Sequence, residues 1–242
     1  MPSAQKIAKR KIAAKPKPHK PEPAAGDRLR RELISWLWVI LAFFIIESMI
    51  IQARVIPSAS MENTILIGDH LIISLVGYDI GIPFTEHHIP LWRNPKRQQI
   101  IVFEAPPQAA HNEDFIKRVI GMPGDTVLVK RGVVFINGKP LNEPYLNPRP
   151  DPSAPQENTG PFHVPPGEYF VMGDNRDDSN DSRFWGYVPR ANLIGTPLFI
   201  YMSVKAPDEV WEPGHVGERL ATYLSILVHP TRMRWKRLFH TF

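Results

Sequence analysis

Nineteen consecutive residues, Leu33 to Ile51, carry one charge between them, Glu47. As an α-helix this stretch reaches ~28 Å at 1.5 Å per residue, close to the hydrocarbon thickness of a bilayer. Trp36 and Trp38 lie near its start, where indoles favour the headgroup zone. A buried core helix of this composition would have to be apolar on every face inside a modest domain. A cleaved leader would end in a small-x-small site, but the end here reads Ile50-Ile51-Gln52-Ala53-Arg54. Residues 33–51 are therefore predicted to form a retained transmembrane helix that crosses the lipid bilayer once. Arg28, Arg30 and Arg31 flank its amino side and Arg54 alone the other. The positive-inside rule then places the amino-terminal tail in the cytoplasm and the rest outside. Glu47 is expected close enough to the outer interface to reach water.

The flanks follow from this anchor. Residues 1–32 hold ten Lys/Arg against three Asp/Glu, a net +7, which leaves −2 on the other 210 residues given the formal total of +5. The basic character thus belongs to a tail rich in Lys, Ala and Pro, expected to be disordered. It does not belong to a nucleic-acid-binding face on the body, and no nucleic acid partner is expected. No cysteine is present, so disulfides and thiolate metal sites are excluded.

After the anchor, short β-branched runs bounded by turn residues dominate: Leu71–Val76, Gln99–Phe103, Phe115–Ile120, Thr126–Lys130, Val133–Ile136, Glu168–Met172 and Leu198–Val204. Asn137-Gly138 is a two-residue hairpin signal, and Met122-Pro123-Gly124-Asp125 a turn between strands. The predicted fold is mainly β, antiparallel, in several small sheets. Residues 52–204 form the β-rich body, with an excursion around 130–170. Residues 205–242 follow as a carboxyl-terminal region. Within it Leu220, Tyr223, Leu224 and Leu227 mark an amphipathic helix over Val216–Val228. The last stretch, 231–242, mixes Arg and Lys with aromatics. It suits either a membrane-surface anchor or a solvated tail with an aromatic or two packed on the body. Phe84, Trp92 and Trp235 are candidates to dip into the membrane interface.

Chemistry points first to Ile56-Pro57-Ser58-Ala59-Ser60-Met61, just past the anchor. A free hydroxyl is a poor nucleophile and needs a nearby base. Nine histidines are present, and spacing alone leaves a Ser-His-Asp arrangement open, because triads assemble in space. Lysine is the other option. Lys117 sits in the apolar run Phe115-Ile116-Lys117-Arg118-Val119-Ile120. Burial would favour its neutral amine, which can act as a general base; at a sheet edge it would only snorkel. Arg118 would point to the opposite face. The loop Gly173 to Gly186 packs four aspartates and two arginines together. No glutamate closes it in the EF-hand manner, so internal ion pairs are expected. No metal or cofactor ligand set is visible, and chelators should not inhibit.

Three stretches together resemble the bacterial type I signal peptidase (leader peptidase) family. Pro57-Ser58-Ala59-Ser60-Met61 is similar to its nucleophile box, Phe115 to Asp125 to its lysine box, and Gly173 to Pro189 to its carboxyl-side box. Leu66-Ile67-Gly68-Asp69 and Pro95–Phe103 fit weaker motifs. The resemblance implies a Ser-Lys dyad on a β domain with an extended ribbon, no cofactor, and cleavage of signal peptides from exported preproteins after a small-x-small site. By position Ser60 is the nucleophile and Lys117 the general base. Ser58 serves the oxyanion, Ser179 orients the Lys117 amine, and Asp181 with Arg183 supports the loop. Substrate would lie extended beside strands at Ile56–Ser58 and Asp114–Ile116, with Ile56, Met61, Phe115 and Ile116 lining shallow pockets. The implied site is the outer side of a bacterial cytoplasmic membrane, with the secretion machinery as a further partner. Where this chain has Asn63 the family usually shows proline. A catalytically inactive membrane-tethered β module that binds extended peptides is the alternative reading.

Overall fold

The computed structural model describes residues 25–81, 88–110, 113–146 and 158–242. The expected disordered tail before residue 25, the tip of the excursion at 147–157, and Phe84 lie outside them. The chain divides into two units, Met1–Ala42 and Phe43–Phe242.

The apolar stretch is a helix, α1 (Ala25–Met49), longer at its start than expected and shorter at its end. Its segment Arg28–Met49 has a mean hydropathy of 1.8 and none of it is buried in protein, as suits side chains that face lipid. At its end the Ile50 N–H still donates to the Ile46 carbonyl, while the Ile50 carbonyl already accepts from Leu75 N–H. The chain therefore passes from helix to sheet with no loop between. The switch falls where two β-branched isoleucines meet the polar Gln52.

The second unit is β-rich, as expected. Its strands are β1 (Ile51–Val55), β2 (Asp69–Ser74), β3 (Asp79–Gly81), β4 (His88–Pro90), β5 (Ile100–Glu104), β6 (Asp114–Gly121), β7 (Thr126–Lys130), β8 (Val133–Ile136), β9 (Lys139–Pro140), β10 (Thr159–His163), β11 (Glu168–Met172), β12 (Val188–Pro189) and β13 (Leu193–Ser203). Seven form an antiparallel sheet in the order β1-β2-β13-β5-β6-β11-β12. Arg54 on β1 nevertheless pairs with Asp114 on β6 at 2.8 Å. Strands four places apart can touch only if the sheet curls, which the twist of neighbouring strands and the irregular registers within β13 allow. The excursion is a separate sheet, β10-β7-β8-β9. Its β8–β9 hairpin turns on Asn137 and Gly138, both at positive φ (51° and 80°), which the primed two-residue turn requires.

Two expectations about strands need correction. Ile56–Ser58 is not a strand: β1 stops at Val55, although Ser58 keeps an extended backbone. The last strand begins at Leu193 rather than Leu198. Gly195 and Pro197 mask its alternation, and Gly195 leaves no room for a side chain against β2, since a Cβ there would lie 2.3 Å from the Ser74 carbonyl oxygen.

The carboxyl-terminal region packs on the body instead of trailing from it. Beyond the one-turn helix α2 (Ser182–Trp185), helix α3 (Val216–Val228) covers Val210 and the fully buried Trp211 with Tyr223 and Ile226. Arg219 donates to the carbonyls of Val210, Trp211 and Glu212. The tail adds single bridges, Val204 to Met233 and Phe199 to Thr241. Arg237 Nη2 lies 2.6 Å from the buried Asp69 carboxylate and 2.8 Å from the Thr64 carbonyl oxygen. So the tail's arginine ties the loop that follows Ser60.

Candidate active site

Proline at 57 and the extended Ser58 (φ −123°, ψ 153°) deliver the chain into a single 3-10 turn, Ala59–Met61. Met61 and Ile65 fasten that turn by inserting fully into the core. Ile65 N–H and Thr64 N–H both donate to the Met61 carbonyl. Between the fixed points Ser60 is held nearly buried, with its hydroxyl aimed at β6. Asn63 takes φ 95° in this turn. A proline ring, locked near −65°, cannot adopt that value, so asparagine at this position goes with a different turn from one that proline would make.

On β6, Lys117 is 4% exposed and its Nζ donates to Ser60 Oγ at 2.7 Å. Burial lowers its pKa to about 8; Asp181 and Asp174 act in the opposite direction. Both aspartates are already engaged by arginines. Asp174 receives Arg118 Nε at 2.8 Å and Nη2 at 2.6 Å, and the Thr64 hydroxyl as well. Asp181 accepts from Arg183 Nε at 2.7 Å and from the Gly173 N–H. With their charge compensated, desolvation decides the lysine's state.

The loop after β11 is pinned to the serine turn. Asn175 N–H donates to the Ser60 carbonyl, and Asn175 Nδ2 to that of Ala59. Gly173 is required for this approach: a Cβ there would lie 2.4 Å from the Ser60 carbonyl oxygen and 2.3 Å from Ser179 Oγ. The family resemblance gives Ser179 the role of orienting the Lys117 amine. Among the described residues the buried Ser179 hydroxyl makes no hydrogen bond. Ser58 Oγ lies 3.4 Å from Ser60 Oγ and is exposed to the groove.

That groove, about 670 Å³, is walled on one side by Arg54–Ser60 and on the other by Glu113–Lys117. Ile56, Phe115 and Ile116 line it, joined by Ile73 and Val102. Met61 does not, since its side chain is the plug that holds the turn in the core. Strand β11 pairs only with the Arg118–Gly121 part of β6. Among the described residues, the edge of Asp114–Ile116 turned away from β5 therefore has no strand partner. An extended peptide could add there.

No histidine among the described residues takes part in this contact. The buried ring of His70 bonds the Gly68 carbonyl through Nδ1 and the Tyr223 hydroxyl through Nε2. Sequence reasoning missed the Arg118–Asp174–Thr64 cluster, whose members lie more than 50 residues apart. Arg118 was expected to face away from the site, and alternation along β6 does turn it off the Lys117 face. Its guanidinium still reaches Asp174, and it stacks 3.8 Å from the Tyr145 ring centroid. What the geometry offers is a hydroxyl in contact with a buried, weakened base, beside an open strand edge.

Residues 29–202 match the family model described as signal peptidase, peptidase S26. A signal peptidase I of Leptolyngbya laminosa is 42% identical over 183 residues, covering 73% of this chain and 81% of that protein. A signal peptidase I of Haemophilus influenzae is 31% identical over 261 residues, covering 79% and 75%. A crystal structure of a signal peptidase I from Enterococcus faecalis V583 is 34% identical, covering 43% of this chain and 97% of that one, with a TM-score of 0.37.

Proposed function

This chain belongs to the signal peptidase family, peptidase S26, and from that premise we propose that Ser60 and Lys117 carry the peptidase reaction. The activity is cleavage of signal peptides from preproteins by a serine endopeptidase. The observation that supports the assignment is the buried 2.7 Å contact from Lys117 Nζ to Ser60 Oγ.

The neutral amine takes the hydroxyl proton as Ser60 Oγ attacks the scissile carbonyl. The Ser60 N–H and the Ser58 hydroxyl bind the oxyanion that forms. The ammonium of Lys117 then protonates the departing amine, leaving an acyl group on Ser60. Lys117, neutral again, activates the water that releases it. Ser179, buried and without a hydrogen bond among the described residues, holds the amine once Ser60 has become acylated. Asp181 and Arg183 keep that loop in place. The substrate runs extended along the open edge of Asp114–Ile116 and past Ile56–Ser58. The narrow apolar walls at Ile56, Phe115 and Ile116 admit small side chains.

The apolar α1 is the membrane anchor. Arg28, Arg30 and Arg31, in its first turns, set the tail in the cytoplasm and the body on the outer side of a bacterial cytoplasmic membrane. The anchor raises the local concentration of Ser60 near emerging, membrane-held substrates.

The full chain, purified into lipid–detergent micelles, is expected to cut a preprotein after a small-x-small site; cleavage elsewhere, or none, contradicts the reading. Ser58→Ala should lower kcat by about 10²-fold with KM little changed, because its hydroxyl acts on charge present only in the transition state. Single-turnover kinetics check this. An equal loss in KM alone would make Ser58 a ground-state contact.

A further inference from the structure

Helix α3 is apolar on two faces. One, carrying Tyr223 and Ile226, packs on Trp211. Among the described residues the other has no cover: Leu220 and Leu224 are more than half exposed, Val216 is 70%, Val228 75% and Leu227 82% exposed. At 100° per residue these five fall within an arc of about 120°. Five large aliphatics in one uncovered stripe cannot be assigned to the scatter of single exposed residues normal on a surface. The stripe lies beyond residue 202, where the family match ends.

The chemistry next to the stripe identifies what covers it. Residues 229–242 hold four Arg/Lys and no Asp/Glu. Arg232 is clasped to the helix flank through Ser225 Oγ at 2.7 Å. Lys236 is exposed, and Trp235 is exposed with its Nε1 held by the Pro230 carbonyl. The acidic residues of the region, Asp208, Glu209, Glu212 and Glu218, all precede the second turn of α3. An aliphatic stripe ending in cations and an indole is the pattern of a helix that lies in the headgroup zone of an anionic bilayer. Arg234 and Arg237 face Asp69 on the body, but Arg232 and Lys236 meet no carboxylate among the described residues, and a second copy would bring the same charge against them instead of neutralising it.

We infer that α3 is a second membrane contact, lying in the plane of an anionic lipid surface with Leu220, Leu224 and Leu227 in the acyl boundary. The inference rests on reading α1 as the anchor, which keeps this body beside a bilayer. Two contacts on one chain act together through effective concentration, so the stripe needs only weak lipid affinity of its own.

The chain has no native cysteine, so single labels report single positions. Three full-length variants, Leu224→Cys, Lys139→Cys and Val39→Cys, would carry an environment-sensitive fluorophore in phosphatidylglycerol-containing vesicles. The label at 224 is expected to shift blue and to lose intensity to lipids spin-labelled near the headgroup. The label at 139, on the exposed β9, should stay water-like, and the label at 39 should be quenched by lipids spin-labelled deep in the chain. A water-like, unquenched 224 with a quenched 39 overturns the docking while leaving the anchor. A blue shift at 224 that grows with protein density and ignores spin-labelled lipid overturns it in favour of a second copy. An unquenched 39 removes the anchor and the docking with it.

Discussion

Ser60→Ala and Lys117→Ala are each expected to lower kcat by about 10⁴-fold or more, and the double variant to fall no further than the worse single one. A nucleophile and its base act on the same proton, so once either is gone the other has nothing left to do. Two further variants separate a chemical role from a structural one. Lys117→Arg keeps the positive charge and length, yet guanidinium does not deprotonate at working pH, so it should be as inactive as alanine. Lys117→Met keeps the volume and removes the amine. It should be inactive but no less stable, because a buried lysine is itself costly to the fold. The sign can be worked out from its titration. The folded pKa is about 8, below the unfolded value of ~10.4. The folded state is therefore penalised in full below pH 8, and the penalty is gone only above the unfolded pKa. Methionine at 117 should accordingly help most at neutral pH, as thermal unfolding across pH would show. A Lys117→Met protein that unfolds early would mean that the lysine holds the structure together, and its loss of activity would then say nothing about catalysis.

Breaking the Arg118–Asp174 pair should give the largest loss of stability. Both side chains are nearly or fully buried, and the guanidinium grips the carboxylate through two nitrogens. Removing one partner strands a buried charge, at a cost of about 3–5 kcal/mol. Arg118→Ala leaves Asp174 with the Thr64 hydroxyl alone among these side chains and also strips the Gln98 carbonyl of its donor. Asp174→Asn should be milder, since the amide oxygen still accepts from Arg118. The two changes ought to move Lys117 in opposite directions. Asp174 already pulls the lysine pKa up. Without Arg118 its charge is uncompensated and the amine becomes harder to neutralise; with asparagine in its place the amine becomes easier to neutralise. Denaturant titration measures the first effect, and the pH dependence of cleavage the second. Equal stability in wild type and Arg118→Ala would mean that water replaces the guanidinium and that the site is wet.

The parts of this molecule that short-range pattern controls were legible before any coordinates. Thr126–Lys130, Val133–Ile136, Glu168–Met172 and Val216–Val228 appear with the bounds read from alternation or helical spacing. Turn chemistry placed the Asn137-Gly138 hairpin because only residues tolerant of positive φ fit it. Ser60 and Lys117 stood out through their neighbours, one after a proline-containing extended stretch and the other amid apolar residues. What stayed hidden depends on contacts between distant segments. Arg237 meets Asp69 across 168 residues and Arg118 meets Asp174 across 56. A charged side chain in a sequence looks the same whether it is solvated or buried against its partner. The family resemblance puts Met61 among the pocket walls, but in a tight turn adjacent side chains diverge, and this one is fully buried in the core. The end of the chain, basic and aromatic, fitted lipid and protein equally well. The structure divides it, with Arg234 and Arg237 turned onto the body and Trp235 and Lys236 left outside.

The whole account depends on Lys117 losing its proton easily in the resting protein. Selective ¹³C labelling of lysine side chains, with Lys117→Met to assign the signal, follows that proton directly by NMR as pH is raised. A single resonance is expected to titrate near pH 8, well below the ordinary lysine value of ~10.4, and cleavage to rise with the same midpoint. A Lys117 signal that titrates at that ordinary value, with activity that follows a histidine instead, would contradict the assignment.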